Sequence, residues 1–97
     1  MGREILRVPK GFEHPRDEDG ELIPGAHLEL LWYASEEEKP CFQIYENVSE
    51  GSPVSPVFNS EDEMSFWLNT QGNNQDTISQ FISMGHYPSL VIKDAYQ

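Results

Sequence analysis

The sequence predicts an α+β domain, a small antiparallel sheet with two short helices packed on one face. Two patterns carry that prediction. Cys41–Val48, CFQIYENV, is rich in aromatic and β-branched residues with alternating faces. Ser60–Leu68 joins a helix-opening Ser-x-x-Glu to an i, i+3, i+4 apolar stripe. A third observation is the order of elements: strand, long loop, two strands, two helices, strand. At 97 residues the chain has room for one core, so residues 1–97 are read as a single acidic domain.

Arg3–Val8, REILRV, is short, mixed in polarity and followed by Pro9, which favours a strand near a sheet edge. Residues 9–25 hold three prolines, three glycines and the acidic run Asp17-Glu18-Asp19, the composition of a long ordered loop. Phe12 and the Leu22-Ile23 pair are its expected anchors. His27–Ala34, HLELLWYA, fits either period: Leu28, Leu30 and Trp32 alternate, while Leu28, Leu31 and Trp32 make a helical stripe. A strand is preferred, because Cys41–Val48 then becomes its hairpin partner across the charged turn Ser35–Pro40. In that partner Phe42 and Ile44 share one face, Gln43 and Tyr45 the other.

Residues 50–58, EGSPVSPVF, are a stiff connector. Pro53 and Pro56 fix two φ angles and hold Ser52 and Ser55 extended, so the segment aims the next helix at the sheet. Ser60 and Glu63 open that helix, whose stripe is Met64, Trp67 and Leu68, ending near Gly72. Asn74 or Asp76 caps a second helix with Ile78, Phe81 and Ile82 inward and Gly85 as its stop. Pro88 bars continuation, and Leu90-Val91-Ile92 reads as a final buried strand.

Charge is the most unusual feature. Seventeen Asp and Glu against six Lys and Arg give −11, and no Lys or Arg occurs from Pro40 to Ile92. Such a field repels nucleic acid and anionic membranes and attracts basic surfaces. The expected partner is a basic host protein or nucleoprotein complex, without direct nucleic-acid or membrane binding; a homodimer is also compatible. The lone Cys41 excludes an internal disulfide. The absence of a leader-like or membrane-length apolar run is read as a soluble intracellular chain. Asn47-Val48-Ser49 matches a glycosylation sequon, which has no meaning in that compartment.

Two blocks resemble a family of small tailed-phage and prophage proteins without an assigned activity. Arg7-Val8-Pro9 with Phe12-Glu13-His14-Pro15 is similar to their opening. Glu50–Phe58 followed by Glu63 and Trp67-Leu68 is similar to their later part, with Phe42–Glu46 and His86–Ser89 as flanking matches. Together these cover about half of the chain. Some members carry a cysteine-rich, zinc-ribbon-like insert between the blocks; its cysteines are missing here, so no metal role carries over. The resemblance implies a bacterial-virus origin and residence in the host cytoplasm, and it supplies no catalytic residue.

Chemical candidates are weak. His14, His27, Cys41 and His86 have no metal-site spacing, and loop or surface histidines beside a buried cysteine are the preferred account. Ser52 and Ser55 lack a nucleophile elbow and a base, and no phosphate loop exists. The chain is therefore read as a non-enzyme with no catalytic residue, cofactor or metal. Trp32, Tyr33, Tyr45, Trp67 and Tyr87 are expected mainly in the core, whereas Phe66 lies beside its helix stripe and is a candidate contact. The acids carry the functional expectation. Glu36, Glu37, Glu38, Glu61, Asp62 and Glu63 form the primary partner-binding set, with Asp17, Glu18, Asp19 and Glu21 secondary. These point to an interaction protein that inhibits or modulates a host factor, an anti-defence, anti-CRISPR-like inhibitor that would in one form mimic duplex phosphates. The alternative is a self-associating phage accessory or structural protein without a host target. Ordinary solubility is the competing account of the charge.

Overall fold

The run CFQIYE carries large or satisfiable side chains on both faces, and Cys41–Glu46 accordingly forms a central strand. In the computed structural model, which describes residues 2–46, 51–87 and 90–93, the strands are β1 (Arg3–Val8), β2 (Cys41–Glu46), β3 (Ser52–Pro53) and β4 (His86–Tyr87). They make an antiparallel sheet in the order β3-β2-β1-β4. The helices are α1 (His27–Trp32), α2 (Glu61–Thr70) and α3 (Gln75–Met84), with a 3₁₀ turn at Glu36–Glu38. The Asn47–Ser49 sequon, Glu50 and Pro88 lie outside the described residues.

The β1–β2 register sets Val8 opposite Cys41 and Arg3 opposite Glu46. Ile5 and Ile44 then meet on the face covered by α2 and α3, whose Met64, Leu68, Ile78 and Phe81 complete the main core. The awkward polarity of β1 is resolved by its partners. Arg7 lies over the Phe42 ring at 4.5 Å, and Arg3 pairs with Glu46 at 3.7 Å. The two main helices thus pack on one face, as the stripes predict. Their ends follow the sequence: Ser60 accepts from the Glu63 N–H, Asn74 from the Thr77 N–H, and Gly85 closes α3 at φ 80°. Replacing Ser60 with alanine should lower stability by about 1 kcal/mol, measured by urea denaturation with unchanged m-value.

The proline connector is itself part of the sheet. Pro53 sits opposite Tyr45 on edge strand β3, where its missing N–H costs nothing, and Val54 donates to the Ile44 carbonyl at 2.9 Å. Fully buried Ser55 continues the contact through its side chain, accepting from the Ile44 N–H at 2.9 Å. Phe58 and Phe42 then exchange both backbone hydrogen bonds, at 2.8 and 2.9 Å, which fixes the approach to α2.

Five expectations are corrected. His27–Ala34 is not a strand: both edges of β2 are taken by β1 and β3, and His27 with Leu31 instead makes a helical inner face. Its Trp32 and Tyr33 are consequently exposed rather than core. β1 is an interior strand, although among the described residues β4 pairs only with Arg3 and Glu4. Residues 90–92 form no strand, because the buried Asn73 side chain occupies the backbone groups of Val91 that a ladder would use. Finally, the 9–25 loop is anchored by a buried His14, while Ile23 is partly exposed.

Candidate functional site

Opposite α2 and α3, the loop and α1 cover the second face of the sheet around Tyr45. His14 Nε2 lies 2.6 Å from the Ile23 carbonyl and Nδ1 lies 3.0 Å from the Tyr45 hydroxyl. One assignment satisfies both: Nε2–H donates to Ile23, and Tyr45 O–H donates to Nδ1. His27 stacks on Tyr45 with ring centroids 4.2 Å apart and stands 5.3 Å from His14. Its buried Nδ1 has no hydrogen-bond partner among the described residues. Burial, and secondarily the neighbouring His14, push the His27 pKa down to about 4. Both histidines are therefore buried, contrary to the surface placement expected of them, while His86 is exposed and Cys41 buried as a free thiol. Among the described residues no three His, Cys, Asp or Glu side chains could share a metal ion.

The acidic clusters divide by what they do locally. Ser35–Glu38 repeats the Ser-x-x-Glu pattern of α2: Glu38 accepts from the Ser35 N–H at 2.9 Å and the Ser35 hydroxyl accepts from the Glu38 N–H. The Ser35 N–H, and secondarily the Ser35 hydroxyl, hold the Glu38 carboxyl below the ordinary range. Glu63 likewise accepts from the Asn59 N–H at 3.2 Å. Glu38 and Glu63 thus carry cap functions, and Glu36 lies 3.9 Å from Lys39. Glu37, Glu61 and Asp62 project without such a bond among the described residues. In the secondary cluster Asp17 accepts from the Asp19 and Glu21 N–H groups, and Arg16 donates to the Gly20 carbonyl, so this cluster is a self-bonded turn.

Topology brings the two triplets to one end of the sheet. Glu36–Glu38 leads through Lys39 and Pro40 into β2 at Cys41, whose thiol lies 3.4 Å from Asn59 Oδ1, immediately before Ser60 and Glu61. The Asp17–Glu21 turn branches instead from the segment that His14 holds on Tyr45, farther along β2.

Beside the second triplet lies a groove of about 540 Å³. Pro56, Val57 and Phe58 form one wall; Asp62, Glu63, Phe66 and Trp67 form the other. Trp67 packs against Phe58 at 5.6 Å between centroids, tying the floor to the core. Phe66 is 75% exposed, the placement its position beside the stripe predicts. A smaller hollow of about 320 Å³ at Glu13–Arg16 is formed by four successive loop residues. The groove is where an apolar surface meets the carboxylates of Asp62 and Glu63, an arrangement suited to an apolar side chain flanked by a cation. Sequence reasoning found its acids and Phe66. It missed the opposite wall, for which the only signal was Val57-Phe58 after Pro56.

No protein-family model, curated protein sequence or solved structure matches the chain. No helix among the described residues is long and apolar enough to cross a membrane.

Proposed function

We propose that this chain is a non-enzymatic, phage-encoded interaction protein that inhibits or modulates a host factor, an anti-defence inhibitor of the anti-CRISPR-like kind acting in the host cytoplasm. The observation that carries the reading is the apolar groove with Asp62 and Glu63 on its wall and Phe66 exposed beside it. Its occupant is a Lys- or Arg-bearing segment of a basic protein, since Asp62 and Glu63 stand on the groove wall and none of the lining residues is a cation. An apolar floor is of no use to a pure mimic of duplex phosphates, so contact with a protein side chain is favoured over phosphate mimicry. The phage origin rests on the two resembling sequence blocks, the one opening at Arg7 and the one opening at Glu50.

Capture from the bacterial host with the tagged chain, at low and high salt, tests this reading. The expected partner is basic, is lost at high salt, and associates about tenfold more slowly with an E61K/D62K variant. Those positions are chosen because reversing Glu38 or Glu63 would also remove a cap. Phe66→Ala should raise the dissociation rate of the same partner. Affinity unchanged by salt and by these substitutions would remove the proposal. The self-associating accessory protein is the second reading; it would bury exposed apolar surface such as Phe66 and predicts a size that grows with concentration.

A further inference from the structure

Of the eight large apolar side chains that stand exposed among the described residues, four lie in or directly after α1: Leu28 at 54%, Leu30 at 52%, Trp32 at 82% and Tyr33 at 77%. This density is unlike scattered surface apolar residues, which need no explanation. On a helix Leu28 and Trp32 are neighbours in one i, i+4 row, and Glu29 with Tyr33 extends the next. The ridge therefore carries two aromatics, an aliphatic and a carboxylate side by side. It is also held firmly. His27 packs on Tyr45, and Gly25 N–H donates to the Gly51 carbonyl at 2.8 Å. Gly51, at φ 97°, leaves space so tight that an added Cβ would lie 3.2 Å from His27 Cε1. A preset ridge loses little freedom on docking.

We infer that α1 is a second docking element, inserting Trp32 and Tyr33 into an apolar depression bordered by Lys or Arg on a basic protein partner. The inference rests on the proposed function only for the sign of the partner's charge. That sign is argued again at this surface. Glu29 lies on the ridge, Glu36 and Glu37 follow it, and Lys39 is the only Lys or Arg between Arg16 and Lys93. Lys39 itself lies 3.9 Å from Glu36 with its side chain 16% exposed. A second copy would oppose acid to acid, and an anionic lipid surface would be repelled. Exposed Trp and Tyr faces bind the guanidinium or ammonium groups that those carboxylates attract.

The test uses a labelled amphipathic peptide with leucines on one helical face and arginines on the other, read by fluorescence anisotropy, with Leu/Gln and Leu/Glu counterparts. The full chain should bind the Leu/Arg peptide most tightly. A W32A/Y33A variant, whose changes touch only exposed side chains, should lose about tenfold in affinity, with F66A losing less. Several results would overturn the inference: no binding of the Leu/Arg peptide, equal binding of the Leu/Gln peptide, or no effect of W32A/Y33A. A dimer in sedimentation that W32A/Y33A abolishes would also overturn it, identifying a second copy as the occupant. The groove reading is judged separately, by the capture experiment and its E61K/D62K and F66A variants.

Discussion

Asn73→Ala is expected to lower stability by about 2–4 kcal/mol, a loss large for an exposed-turn position and ordinary for a buried polar hub. Asn73 is 5% exposed and sits in the turn between α2 and α3. Its Nδ2 donates to the Leu68 carbonyl at 3.0 Å and the Val91 carbonyl at 2.8 Å, and its Oδ1 accepts from the Val91 N–H at 2.9 Å. Alanine removes all three bonds and leaves both backbone groups of Val91 searching for water beside the core residue Leu90. The companion bond from Lys93 N–H to Gln71 Oε1, 2.9 Å, cannot hold the segment alone. A midpoint fall of roughly 10–25 °C follows for a domain of this size. Asn73→Asp keeps the acceptor but loses both donors and buries a charge, so it should be no better. A fall below about 4 °C in either variant would show that Leu90's packing, and not the amide, retains the closing segment.

That amide also explains one limit of the sequence reading. Leu90-Val91-Ile92 looks like a buried strand by composition, and nothing local announces that a distant asparagine will take its hydrogen bonds. The two main helices were legible because their signals are local: Ser60, Asn74 and Gly85 set ends, and each stripe repeats within one turn. HLELLWYA was not legible for the opposite reason. Its pattern fits both periods, and the choice is made by β1 and β3 occupying the edges of β2, a fact of pairing at long range. The same holds at the surface. Ser35–Glu38 shares its motif with Ser60–Glu63, so the cap duty of Glu38 was readable, whereas the groove depends on Phe58 bonding to Phe42.

Acidification should destabilise the fold through His27 between pH 6.5 and about 4. The ring is held well below its ordinary value by burial and by His14. The unfolded chain therefore takes up a proton first as pH falls through 6.5. The stabilisation from keeping His27 neutral is complete above that value, declines as pH falls, and is exhausted below about 4, where both states are protonated. Its size is about 2 kcal/mol, below what the full shift implies, because nearby solvent screens the charge of the ring. Relief of acid–acid repulsion acts in the other direction over the same range, since the chain carries −11 at neutrality. A His27→Phe variant isolates the histidine, because it keeps an aromatic ring on Tyr45 and the repulsion while removing the titration. Urea stability measured from about pH 7.5 to about 4.5 should then fall more steeply in the wild type than in the variant. Parallel profiles would mean that the His14–Tyr45–His27 packing does not keep His27 neutral, and the loop and α1 would owe their place on the sheet to other contacts.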